Sequence, residues 1–132
     1  MEIFVDTSAI FALLDIGNRD NPAAVLAWEN FLDNSAKLVT NNYVLVECFS
    51  LLQNRLGLTA VIQLQSKIVP YLEIEWLDEQ QHSNAANHVL SANRRNLSLV
   101  DCSSFQTMRR LRIESVFSFD AHFKEQGFTI IP

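Results

Sequence analysis

Apolar and polar positions follow one another along the chain in two rhythms, and their succession predicts the architecture. Short apolar, β-prone runs recur at "EIFV" (2–5), "KLVT" (37–40), "EIEWL" (73–77), "VFSF" (116–119) and "FTII" (128–131); these read as strands. Between them lie segments with helical spacing: "TSAIFALL", "NPAAVLAWENFLDNS", "NNYVLVECFSLLQNRL", "LTAVIQLQSKIV", "DEQQHSNAANHVLSANRR", "SLVDCSSFQTMRRL" and "DAHFKEQG". Asn21 as N-cap with Pro22 at the first helical position is a strong start signal. Asn41 and Asn42 are cap candidates for the third helix, Gly57 marks its end, and the fourth closes before Pro70. Strands alternating with helices predict an α/β fold of three layers, α/β/α, with a mostly parallel central sheet. In such sheets ligands gather beyond the carboxyl ends of the strands.

One charged residue breaks the pattern. The segment 41–56 reads as a helix apolar nearly all the way round, yet it carries Glu47. Its helical neighbours Tyr43, Val44, Ser50 and Leu51 include no base, so no local ion pair accounts for it. A carboxylate in such surroundings costs several kcal/mol unless it is paired or protonated.

Composition narrows the setting. At 132 residues, with 48% hydrophobic and 19% charged residues, the chain suits a single globular domain over 1–132. No apolar run approaches the ~18 residues of a membrane span. The apolar N-terminus lacks a basic leader and is interrupted by Asp6 and Asp15, unlike a signal peptide. Cys48 and Cys102 lie in apolar segments and read as buried thiols of a reducing compartment, which places the protein in the cytoplasm. The net charge of −5 argues against non-specific grip on a nucleic-acid backbone. Five arginines nevertheless fall between 94 and 112. They read either as helix C-terminal charge on a solvated face or as a phosphate-contacting patch, with Arg94, Arg95, Arg109 and Arg110 as substrate contacts.

Four acids then gather on one edge. Asp6 follows the first strand and Asp120 follows "VFSF", both at strand-to-helix junctions where Asp is also a favoured N-cap. Asp101 fits a capping box with Ser98. Glu47 lies too deep in its helix for capping, and a long-range arginine is its alternative partner. If the four converge, cations or protons must neutralise their repulsion. Hard oxygen ligands select Mg²⁺ or Mn²⁺ over zinc, and such ions activate water and clamp phosphate oxygens.

In order and spacing, "FVDTSAIFALL", "VLVECFSLL", "LSLVDCSSFQTMRRL" and "VFSFDAHFKEQGF" resemble the four acidic motifs of the PIN-domain nucleases, and most of all the VapC-type ribonucleases of toxin–antitoxin pairs. The resemblance implies Asp6, Glu47, Asp101 and Asp120 as catalytic, metal-binding acids of a divalent-cation-dependent ribonuclease. It implies supporting hydroxyls at Thr7, Ser8 and Ser118, the last where relatives more often carry Thr. Ala121 replaces a residue that is commonly basic or polar. An RNA substrate, a homodimer and a silencing antitoxin partner are further implications.

Competing readings are a PIN-fold RNA-binding or protein-interaction module without turnover, and a receiver-like phosphoacceptor domain. The second lacks a suitably placed Lys, because Lys124 follows Asp120 in the wrong context. His82 and His88, six apart, do not share a helical face, and His122, close to Asp120, reads as an exposed polar residue with a phosphate contact as the alternative. Neither a catalytic triad nor a Gly-rich phosphate loop is present. Phe4, Phe11, Trp28, Phe31, Trp76 and Phe105 read as core or dimer contacts.

Overall fold

The computed structural model describes residues 1–132. Its centre is a five-stranded sheet ordered β3-β2-β1-β4-β5, every neighbouring pair parallel. The strands are β1 (Glu2–Val5), β2 (Lys37–Asn41), β3 (Leu72–Glu75), β4 (Ser115–Phe117) and β5 (Thr129–Ile131). Helices α1 (Thr7–Leu14) and α2 (Asn21–Asp33) join β1 to β2. Between β2 and β3 run α3 (Asn42–Arg55) and α4 (Leu58–Gln63). Helices α5 (Glu79–Ala92) and α6 (Leu99–Leu111) lead to β4, and the short α7 (His122–Glu125) leads to β5. The connections from β1 to β3 step one way across the sheet and those from β3 to β5 step back. Right-handed crossovers therefore place α1–α4 on one face and α5–α7 on the other.

The central strands are buried on both faces and carry no alternation: Ile3, Phe4 and Val5 are fully buried, as are Val116 and Phe117. Phe105 anchors the α6 side, its ring edge-on to Phe123 with centroids 5.1 Å apart. Phe31 meets Phe117 on the opposite side at 5.2 Å.

Several boundaries differ from the sequence pattern for identifiable reasons. Asp20, not Asn21, precedes α2; the Asn21 amide instead donates to the carbonyls of Ala12 and Leu13, tying α2 to the end of α1. Asn41 caps α3, accepting from the Val44 amide, whereas Asn42 lies inside the helix and accepts from Leu77 N. The fourth helix closes before Pro70 but keeps α geometry only to Gln63. It widens into a π-turn over Leu64–Ile68, and a 3₁₀ turn that takes Pro70 near its start follows. Strand β4 ends at Phe117, because the Ser118 hydroxyl turns the chain by accepting from Asp120 N. Trp76 lies beyond β3 and is exposed. Helix α3 buries Val44, Cys48 and Leu52 along one stripe and leaves Val46 and Phe49 outside, so it is not apolar-packed all round.

Candidate active site

The two halves of the chain diverge between β1 and β4, where the crossovers change direction. Ligands collect at the carboxyl ends of strands at such a point. Asp6 is the first residue after β1. Its amide still pairs with Phe117 O, and its side chain is buried. One carboxylate oxygen, Oδ2, accepts from Ser8 Oγ at 2.7 Å, Ser118 Oγ at 2.9 Å and Ser8 N at 3.3 Å. The hydroxyls on either side of the β1–β4 seam thus close on one acid. Burial nevertheless outweighs them and raises Asp6 from 3.8 to about 6.

Three more acids surround this point. Asp101 occupies the third position of α6, where it completes a capping box by accepting from Ser98 N. Asp120 lies in the turn after β4 and accepts from the amide of His122. Glu47 stands on α3, one helical turn past Tyr43. No lysine or arginine pairs with any of the four. Burial lifts the Glu47 and Asp101 carboxyls above their usual range, and the charges of neighbouring acids lift them further: Asp101 and Asp120 act on Glu47, and Asp120 acts on Asp101.

Thr7 does not join the hydroxyl cradle. It lies near enough to Glu47 to favour its charged form, yet its buried Oγ1 has no hydrogen-bond partner. His122, read from sequence as exposed, is instead drawn inward. Its Nδ1 approaches Asp120 Oδ1 at 3.1 Å and Asp101 Oδ2 at 3.7 Å, with only 17% of the side chain accessible. Asp101, Asp120 and His122 form the tightest potential ligand set, their donor atoms within 4.8 Å of one another. Asp6 and Glu47 stand outside that set, although Asp6 feels the charge of Asp101.

The arginines are placed differently from the acids. Arg109 and Arg110 lie eight and nine residues beyond Asp101, roughly 12 Å farther along α6. Arg110 approaches Glu75 at 3.5 Å, and Arg94 is bonded to Glu125 at 3.0 Å. Arg109 donates to Gln126 and covers the Phe128 ring. Of the four, Arg95 alone makes no side-chain contact of these kinds.

A cation fits these donors. Carboxylates crowd together without a basic partner other than one imidazole, a buried hydroxyl stands unpaired, and the donors are mostly hard oxygens.

The PIN-domain family profile matches residues 3–128. The chain belongs to the PIN-domain family. The 23S rRNA-specific endonuclease VapC20 of Mycobacterium tuberculosis, in two strains, is 29% identical over 127 residues, covering 96% of this chain and 95% of the relative. The crystal structure of VapC20, described as a Sarcin-Ricin loop cleaving toxin, superposes with a TM-score of 0.86 at 28% identity, over 98% of this chain and 99% of that one. FitAcB of Neisseria gonorrhoeae shares the fold at 15% identity, with a TM-score of 0.69 over 100% of this chain and 97% of that chain. This PIN-domain chain has no helix long and apolar enough to cross a membrane.

Proposed function

We propose that this PIN-domain protein is a ribonuclease toxin of a toxin–antitoxin pair, acting as one nuclease domain and hydrolysing RNA phosphodiesters with Mg²⁺ or Mn²⁺. The observation that carries the reading is the unpaired acid cluster at the β1–β4 switch point, with Asp6 buried at its base. Its likeness to an endonuclease named for rRNA cleavage supplies the substrate class.

Asp6, Glu47, Asp101 and Asp120 are the residues that would hold the ion, with His122 beside them. A bound divalent ion supplies Lewis acidity toward the phosphate oxygens. The protein's own groups do the rest. Ser8 and Ser118 fix the Asp6 carboxylate so that one oxygen is committed to hydroxyls and the other, Oδ1, stays available. Helix α3 holds Glu47 rigidly, and the capping box holds Asp101. Asp120, the more exposed of the pair it makes with the buried His122 Nδ1, would take a proton from an attacking water and return it to the leaving oxygen. An apolar recess of about 270 Å³, bounded by Tyr43, Val46 and Val100, opens beside Glu47 and gives a nucleobase room next to the scissile phosphate. The arginines could steer the backbone only by exchanging their present partners.

The decisive experiment incubates structured and single-stranded RNA with Mg²⁺ or Mn²⁺, then repeats it with EDTA and with Asp6→Asn. Cleavage should need the ion and fall about 10²-fold or more in the variant. Cleavage unchanged by both controls refutes the assignment. RNA retained without shortening, with or without ions, identifies a binding module instead.

A further inference from the structure

A second cavity lies between α5 and α6. Its volume is about 320 Å³, and its lining includes Gln81, Asn84, Gln106, Arg109 and Arg110. Ser103 and Thr107 form its buried part. Ser103 follows Asp101 by two residues, which places the two about 200° apart around α6. The cavity is therefore on the flank of the helix away from the acids.

Its spare hydrogen-bonding capacity is mostly that of donors, Gln106 Oε1 excepted. Gln81 Oε1 already accepts from Asp78 N, and Asn84 Oδ1 accepts from Gln80, so each of these amides has its NH₂ group left to offer. Ser103 and Thr107 spend their protons on the carbonyls of Val100 and Ser103. Gln106 donates to Asn84 O, leaving its Oε1 as an acceptor. The charges lean the same way. Arg110 shares Glu75 at a loose 3.5 Å, while Arg109 has only the neutral Gln126 amide and the Phe128 ring. Arg110 is thus held loosely by one carboxylate and Arg109, turned toward Gln126 and Phe128, meets none, a local excess of positive charge on a chain of net −5.

The geometry points to a phosphate-binding site that takes the monophosphate of a single nucleotide unit, free or within an RNA strand. Guanidinium groups and amide N–H donors match phosphate oxygens, and arginine does so with paired bonds. The cavity has about ten waters' worth of space at roughly 30 Å³ each, more than a phosphate group fills. The remaining room suits a ring that lies against Leu77 and donates to Gln106 Oε1. Asn41 connects this pocket to the nuclease site. Its amide donates to Ser103 and Thr107 while its oxygen caps the helix that carries Glu47.

Calorimetric and amide-resolved NMR titrations in EDTA test the assignment, with inorganic phosphate, adenosine monophosphate, adenosine and a short RNA as probes. Phosphate and the monophosphate should bind and move the side-chain amide signals of Gln81 and Asn84, and adenosine should not. The Arg109→Gln/Arg110→Gln variant, altered only at exposed positions, should bind about tenfold more weakly or worse. Asn84→Leu, also at an exposed position, should weaken binding without touching either arginine. Asp6→Asn should bind as the wild type does, so the site stands or falls independently of the nuclease reading. RNA binding tighter than the monophosphate and lost in the arginine variant assigns the phosphate to a strand; the reverse order assigns it to a free nucleotide. Equal affinity for adenosine and its monophosphate, undiminished binding in both pocket variants, or no binding at millimolar ligand overturns the proposal.

Discussion

Burial holds the Asp6 carboxyl at about 6, against the pull of the Ser8 and Ser118 hydroxyls. An acid raised in the folded state makes that state the tighter proton binder between its unfolded and folded values. The stability Asp6 contributes is therefore complete below its ordinary value of 3.8 and is lost as pH rises through about 6. Glu47 and Asp101, raised for the same reason, add in the same direction. Urea unfolding in EDTA at a series of pH values between about 4 and 7 should show Asp6→Asn gaining on the wild type as pH rises. The variant's own pH dependence should be the flatter of the two. A gap between the two proteins that narrows with rising pH contradicts the burial account. The importance of His122 is also a residue-scale matter. Its place next to Asp120 in sequence was visible, but its approach to Asp101 depends on how α6 and the β4–α7 turn meet, which no local pattern encodes.

Among the elements, α3 is tied to the rest of the fold at its start by a single side chain. Asn41 ends β2, caps α3 through Oδ1, and sends its NH₂ group to two hydroxyls of α6. Asn41→Ala removes the cap and both cross-links, and should cost about 1–3 kcal/mol by chemical denaturation. Because Glu47 rides on that helix, cleavage should weaken more than the residual folded fraction explains. Both cap and strand were legible from "KLVTNN", since a β-prone run ending at Asn before an apolar helix has few other solutions. The same holds for the α6 capping box. The pattern does not encode the ends of elements that answer to distant partners. Asn21 left its capping role to bind the carbonyls of α1, and "VFSF" lost its last residues from the strand where Ser118 turned toward Asp6. The arginines showed the same limit, since the acids and amides that engage them lie on β3, on α7 and just beyond α7.

For the molecule as a whole, two surfaces remain to be satisfied: an apolar one and an acidic one. Phe49 on α3, with Leu58 and Ile62 one turn apart on α4, is exposed, and α3 packs against α4. We propose these residues as a contact with a second copy of the chain: sedimentation should then find a dimer, and Leu58→Glu/Ile62→Glu a monomer that keeps its melting cooperativity. The acidic surface bears on the folding equilibrium itself. Four carboxylates are brought together only in the native state, so an ion that binds them there adds stability by mass action. At a hundredfold excess over the dissociation constant the gain is about 2.7 kcal/mol, or roughly 10 °C in melting temperature for a chain of this size. Mn²⁺ should therefore raise the melting temperature, increasingly so as pH climbs from about 5 to 7 and protons stop competing for Asp6. Glu47→Gln should remove most of the gain, and His122→Ala should weaken the ion's hold by about 10–100-fold, the range for groups that orient metal ligands. If the metal-free protein and the Mn²⁺-treated protein melt together at pH 7, the acids do not form a preorganised ion site, and the carboxylates need another explanation for their burial.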